Sequence, residues 1–567
     1  MENNMSDLNK VKLWTLSIFT FIMVFSPIFM YYIKFRLGAV TSFLVGDAFY
    51  YLDVARYSQG LSFFTFDGVH ATNGFHPFWQ YLLTYLAHFP MFSFSGRNQI
   101  THFFLLDLFF VSIGYGLLST FVAKQVRLFW LVPIALCPGL TWFIASIIDS
   151  DHLSAWSYVN GMESGLSLLC FGLVLLLFDR KLPDGWKLYL GMFFLGLAVL
   201  ARLDDAFFLL AFFAYSILRT SHNRIRAALP YATPFLMIAA YMIYNRTTVG
   251  IYLPISGASK ASFALVTNLK LAVLVMLPRS WDLQSPATKH LNYSNWAELT
   301  IRLFQLWFPI LLCCGYLVIG ARRHKLQNRP ILSCLCAGSL AKGLYNLIFV
   351  TIGAQGYWYY AVSIFICNVL LAVALDSLLQ LHSLNYKEPI PSIFLNAGIL
   401  LSIFLFTWFC FSGLIAHKRI EQYGSGMFQA FNHGPQIAND IRNARATSYL
   451  ELEDGIISYV TGMPSTSGLG LAADIEAVKA KKEGRFLDLM ACRDVHIIVA
   501  SGYYIPAMNR ILQLGLNPGE ILGNVHSTEF ARYYIQPGPR DEDSDIAIYR
   551  IVKKNPDVIA DSNPCKH

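Results

Sequence analysis

Charge is what this sequence has least of. Asp, Glu, Lys and Arg make up 14% of its 567 residues, against 55% hydrophobic ones. One soluble core cannot bury that much apolar surface, and a disordered chain would not carry it. Cysteine offers no zinc framework: the 10 residues form no CxxC unit, and no histidines stand at metal-ligand spacing from them. They read as small core residues, with Cys492 and Cys565 as the two that could pair in the less apolar C-terminal part. No P-loop is present, and the ten-residue alternation of an outer-membrane barrel is missing. The net charge of +8 does not imply nucleic acid. Its lysines and arginines sit in short loops between apolar runs, where the positive-inside rule expects them.

What is present is apolar material in stretches of about 17–25 residues, the length a helix needs to cross a bilayer. Spans are expected near 12–34, 100–121, 128–147, 163–178, 186–201, 203–218, 227–244, 300–319, 330–350, 358–380 and 391–415. The first is too long for a signal peptide and lacks a small-residue cleavage site, so it reads as a retained signal anchor. Segments 77–93 and 263–277 are apolar but shorter and read as interfacial or re-entrant helices. The expected fold class is an α-helical polytopic membrane protein with about eleven transmembrane helices over residues 1–416 and a large first external loop, 35–98. Residues 417–567 change to the composition of a soluble domain and are expected outside the cytoplasm. There DVHIIVASGYY and DIAIYRIV read as strands and DIEAVKAKKEGRFLDLM as an amphipathic helix, giving a small α/β domain.

With the N-terminus inside, most of the unusual polar residues collect on the outer side. They are Asp47, Asp53 and Asp67 in the first loop, Glu163, the turn Ala201-Arg-Leu-Asp-Asp205, the loop ending at Lys260, and Gln355-Gly-Tyr-Trp-Tyr-Tyr360. Ionisable groups at membrane helix ends are costly unless they face water, so they mark functional paths, although a single one is often just a solvated helix terminus. Arg202-Leu-Asp-Asp stands out because it splits an apolar stretch into two short helices, a break tolerated where it lines a cavity. The aromatics Tyr50, Tyr51, Trp79, Tyr357, Trp358 and Tyr359 either stack on sugar rings or form an interfacial belt. Asp67-Gly68 reads as a turn. Gly468-Leu-Gly-Leu-Ala-Ala473 mimics a dinucleotide fingerprint, but no clear strand leads into it.

These residues resemble a family. Gly46-Asp47-Ala48-Phe49-Tyr50-Tyr51, Ala55-Arg56, Phe66-Asp67-Gly68 and Thr72-Asn73-Gly74-Phe75-His76-Pro77-Phe78-Trp79 resemble the first external loop of GT-C superfamily glycosyltransferases, above all bacterial arabinofuranosyltransferase-like and mannosyltransferase-like members. Asn160-Gly-Met-Glu163, Leu200-Ala-Arg-Leu-Asp204, Gly250-Ile-Tyr-Leu-Pro254 with Ala258-Ser-Lys260, and Glu451-Leu-Glu-Asp-Gly455 with Tyr459 resemble later segments in the same order. Many relatives have Asp-Asp where this chain has Gly46-Asp47.

The resemblance implies a polyprenyl-phosphate-linked sugar donor, a glycan, lipid or protein acceptor outside the cytoplasm, and a bacterial inner membrane as the location. It implies Asp47 as the general base, with Tyr50, Asn73, His76, Glu163, Arg202, Asp204, Asp205, Lys260 and Tyr359 binding substrate. Arg202 and Lys260 suit a lipid phosphate, the first by bidentate grip and the second as a point charge. Glu163, Asp204 and Asp205 suit acceptor hydroxyls or a divalent cation, since hard cations prefer several carboxylate oxygens. The metal stays undecided. The alternative class is a transporter or flippase of a lipid-linked or small polar substrate, which would also use broken helices and membrane-edge charges.

Overall fold

The structure is a computed structural model and describes residues 2–89, 97–128, 131–136, 158–178, 182–220, 223–260, 263–276, 296–322, 329–352, 355–386, 400, 426–444, 446–452, 455–468, 473–501, 533–541 and 546–553. It forms two compact units. The first comprises residues 1–39, 104–239 and 261–419, the second residues 40–103, 240–260 and 420–567.

Among the described residues, six helices are long and apolar enough to cross a membrane: Lys12–Phe35, Gln99–Gln125, Arg224–Thr248, Leu303–Ala321, Pro330–Phe349 and Trp358–Leu379. Ser164–Leu177 and Trp186–Ala201 are apolar but shorter. The expected span 391–415 lies outside the described residues except for residue 400, and of 128–147 only 128 and the short helix Leu131–Leu136 are described. The segments expected to be too short to span are the helices Pro77–Leu86 and Leu265–Met276. Glycines let the helices of the first unit approach closely: a Cβ on Gly114 would lie 2.9 Å from the Leu168 backbone, and one on Gly338 would strike Phe208.

The second unit is built on a five-stranded sheet of order β2-β1-β3-β5-β4, with β1 Tyr449–Glu451, β2 Ser465–Ser467, β3 Ile497–Ser501, β4 Tyr533–Asp541 and β5 Ile546–Lys553. β1 pairs parallel to both β2 and β3, and β5 closes antiparallel on β3 and β4. A core of Leu450, Ala477, Phe486, Ile498 and Tyr549 packs against the sheet, and Val249 and Ile255 join it from far upstream in sequence.

Two local expectations are corrected. DIEAVKAKKEGRFLDLM is two helices, Ile475–Glu483 and Phe486–Cys492, because Gly484 takes the left-handed conformation at φ +68° and caps the first on the Ala480 and Lys481 carbonyls. A strand does lead into Gly468: β2 ends at Ser467, and the Gly468 amide donates to the Glu451 carbonyl at 2.7 Å. Its sequence, Ser-Thr-Ser, gives no apolar alternation, yet all three residues are buried. A phosphate is still not expected on the following helix, since its N-cap is the carboxylate of Asp474, which accepts from the Ala477 amide at 3.0 Å and pairs with Arg493 at 2.6 Å.

Candidate functional site

Arg202 leaves the end of helix Trp186–Ala201 in an extended conformation, φ −148° and ψ 104°, and a single turn Leu203–Asp205 then starts helix Ala206–Arg219. The break gathers a buried ionic cluster in the first unit. The Arg202 guanidinium donates to Glu163 at 2.5 Å and reaches Asp204 at 2.9 Å. Lys342, on helix Pro330–Phe349, bridges Asp204 at 3.1 Å and Asp205 at 2.7 Å, and the Ser167 hydroxyl donates to the other Asp205 oxygen at 2.7 Å. Arg202 and Lys342 retain 3% and 1% of their exposure, Glu163 and Asp205 almost none, and Asp204 keeps 17%. The Tyr359 ring lies over the guanidinium, 4.2 Å from centroid to carbon.

The loop bearing Tyr359 is held by side-chain amides. Asn268 donates to the Leu347 and Val350 carbonyls at 2.9 Å each and accepts from the Ile352 amide at 2.9 Å. Gln355 donates to the Asn346 and Val350 carbonyls at 3.2 and 2.7 Å and accepts from the Tyr360 hydroxyl.

This arrangement engages Glu163, Asp204 and Asp205 with two cations. Among the described residues, no group of three or more His, Cys, Asp or Glu side chains is arranged to hold a metal ion. Lys342 is not among the residues that the sequence singles out. A lone lysine inside an apolar span is the signal that could have found it.

The second unit holds the first-loop candidates. Asp47 stands in the first turn of helix Gly46–Tyr57 and is half-buried. Asp53, two turns on, is fully buried. Burial holds its carboxyl well above the ordinary aspartate value, with Arg56 and Ser458 opposing that only in part. The same burial pushes the Tyr57 hydroxyl up to about 12.

Asp67 closes a turn, as expected: it accepts from the Val69 and His70 amides at 2.9 and 2.8 Å and from the His70 ring at 2.6 Å. Burial opposes those bonds, but they hold the Asp67 carboxyl below its ordinary value. Gly68, at φ +83°, makes the turn possible.

The TNGFH stretch ties the unit together. The Thr72 hydroxyl donates to the Ala473 carbonyl at 2.9 Å, the Tyr50 hydroxyl to the Gly74 carbonyl at 3.5 Å, and the His76 amide to the Tyr51 hydroxyl at 3.2 Å. Asn73 is fully buried, its amide nitrogen donating to the Leu253 carbonyl at 3.3 Å and its oxygen accepting from the Ile255 amide at 3.0 Å. His76 is half-buried at the start of helix Pro77–Leu86. Lys260 ends the helix Ile255–Lys260, and its side chain lies outside the described residues.

Helix Gly46–Tyr57 docks within the same unit. Arg56 donates to the Tyr459 carbonyl at 3.3 Å, the Phe49, Phe431 and Tyr459 rings cluster at 5.5–6.0 Å, and the Tyr459 hydroxyl donates to Gln99 at 2.7 Å. Glu451 caps helix Ile456–Thr461, accepting from the Ile457 and Ser458 amides at 2.7 and 3.2 Å and from the Ser465 hydroxyl at 3.0 Å. A Cβ on Gly455, at φ +103°, would collide with the Tyr50 backbone nitrogen, which explains the glycine of the ELEDG stretch. Cys492 is disulfide-bonded; its expected partner, Cys565, lies outside the described residues.

No family model and no curated protein matches the sequence. Solved structures do. The crystal structure of ArnT from Cupriavidus metallidurans in the apo state is similar with a TM-score of 0.50 and 13% identity, over 96% of this chain and 98% of that one. ArnT from the same organism bound to undecaprenyl phosphate gives a TM-score of 0.48 and 13% identity, over 92% and 97% of the two chains. At these identities the likeness speaks for the backbone rather than the chemistry. Over nearly its whole length, the chain has a fold similar to that of the Cupriavidus metallidurans ArnT.

Proposed function

We propose that the protein is a membrane glycosyltransferase that moves a sugar from a polyprenyl-phosphate donor to a glycan, lipid or protein acceptor outside the cytoplasm, with Asp47 as general base. The observation that carries this reading is the different fate of three carboxylates in one loop. Asp53 is fully buried, and that burial raises its carboxyl well above the ordinary aspartate value, while Asp67 is engaged by its turn. Asp47 is half-buried in the first turn of helix Gly46–Tyr57, in the segment whose motifs resemble the family's first external loop. In the reaction, Asp47 takes the proton of an acceptor hydroxyl as its oxygen attacks the anomeric carbon, and the bond from that carbon to the phosphate oxygen breaks. The polyprenyl phosphate leaves with the electron pair, and a cation such as Lys260 stabilises it.

The ionic cluster around Arg202 fits a supporting part. Within the cluster Asp204 keeps the most exposure, 17% of its side chain. The disulfide at Cys492 fits an oxidising compartment for the C-terminal residues.

The test is transfer of a radiolabelled sugar from polyprenyl phosphate by the purified full-length protein. Asp47→Asn is expected to lower the rate by about 10²–10⁴-fold, the range of general-base catalysis. Undiminished transfer in that variant would refute the base assignment. Accumulation of substrate in proteoliposomes, unaffected by Asp47→Asn, would support a transporter instead.

A further inference from the structure

We propose that Asn73 is a positioning residue whose carboxamide fixes the backbone of Leu253–Ile255 and, with it, the start of the helix that carries Lys260. The inference deepens the proposed function, resting on it for the part Lys260 plays toward the donor phosphate.

Segment 249–255 runs from the end of helix Ala232–Thr248 to the start of helix Ile255–Lys260. Within it Val249, Ile251 and Ile255 pack on the core of the unit, whereas Tyr252 and Leu253, between them, are more than half exposed. Two asparagines do the work that a β-ladder would do elsewhere. The Asn245 side chain donates to the Tyr252 carbonyl at 3.2 Å, and its backbone carbonyl accepts from the Val249 and Gly250 amides at 2.9 and 3.2 Å. Asn73 then takes two further backbone groups, the Leu253 carbonyl and the Ile255 amide. The second bond matters most. Ile255 opens its helix, where the first amides have no partner within the helix, and its side chain is fully buried in the core of the unit. Without the Asn73 oxygen, a buried donor at the helix start loses its acceptor, which a folded chain tolerates poorly.

The same geometry argues against Asn73 as a direct sugar ligand. The residue has no exposed surface, and both ends of its amide are engaged by backbone 180 and 182 residues away in sequence. The TNGFH stretch and the YLPIS stretch, separate motifs in the chain, are thereby one device: the first sets the pose of the second. Thr72 anchors the device to the C-terminal residues through Ala473.

Hydrogen exchange read by mass spectrometry on the full-length protein in detergent tests this. In the wild type, the Ile255 amide is expected to be protected relative to the amides of Tyr252 and Leu253, residues that are more than half exposed. In Asn73→Ala, exchange across 253–260 is expected to rise about tenfold, the effect of one lost buried hydrogen bond, while helix Ile475–Glu483 exchanges as before. Sugar transfer by that variant should lose kcat, with donor KM moving little. Unprotected Ile255 in the wild type would overturn the inference without any variant, so a misfolded Asn73→Ala protein does not leave the question open. Unchanged exchange with weakened donor binding would overturn it in favour of direct contact. Undiminished transfer by Lys260→Gln would refute the part given to Lys260, while the exchange result would still decide the role of Asn73.

Discussion

Replacing Lys342 by methionine removes the cation that touches both carboxylates of the helix break. The side chain keeps 1% of its exposure and lies 2.7 Å from Asp205 and 3.1 Å from Asp204. Methionine fills nearly the same volume, so the loss is one of charge rather than packing. After the change, Arg202 still serves Glu163 and Asp204, but among the described residues Asp205 keeps as its hydrogen-bond donor the Ser167 hydroxyl at 2.7 Å, which carries no charge. Breaking a buried pair by removing one partner costs about 3–5 kcal/mol, because the orphaned charge stays desolvated. Thermal unfolding of the purified protein, followed by tryptophan fluorescence, should show the midpoint falling by on the order of 5–10 °C. The double variant Lys342→Met, Asp205→Asn removes the orphaned charge, and the introduced carboxamide can still accept from Ser167. It should regain more than half of the loss, a coupling of about 2 kcal/mol or more. A single variant as stable as the wild type, or a double variant no better than the single, would refute the account of the cluster as a closed charge system.

Two further outcomes follow from the second unit. Asp53→Asn should stabilise the protein at neutral pH. Below the ordinary aspartate range both states are protonated; as pH rises, the unfolded chain loses its proton first while the folded carboxyl, held well above its usual value by burial, keeps it. Wild-type stability therefore falls by about 1.4 kcal/mol for each pH unit between the two values, a slope the asparagine lacks. Unfolding curves at pH 4 and pH 7.5 that differ equally between the two proteins would contradict this. Gly455→Ala should destabilise the second unit, since its Cβ would collide with the Tyr50 backbone and its φ of +103° disfavours any side chain; an unchanged unfolding midpoint would contradict the close approach.

Much of this was legible in the sequence because apolar length and ordered motifs are strong signals. Arg202-Leu-Asp-Asp interrupts an apolar run, and the chain does break there into two short helices. Asp67-Gly68 signals a turn and forms one. What stayed hidden depends on partners distant in sequence. Lys342 is one polar residue in a long apolar helix, and nothing local says that it answers Asp205, 137 residues earlier. β2 is invisible to periodicity because all three of its polar side chains are buried, Ser465 against the Glu451 carboxylate. Asn73 reads as a ligand in sequence because its stretch resembles the family's first external loop; its neighbours at Leu253 and Ile255 emerge only once the chain has folded.

The long reach of the Arg56–Tyr459 and Thr72–Ala473 bonds, 403 and 401 residues, also sets a timetable for making the protein. A ribosome adding about 5–20 residues per second needs roughly 20–80 s to pass from the first loop to its partners. Through that interval helix Gly46–Tyr57 exists without the surfaces that bury Phe49 and Asp53. A chain stopped before residue 449 leaves that helix unsatisfied permanently. The packing of Phe49 against Phe431 and Tyr459 is therefore a late event in the making of the chain.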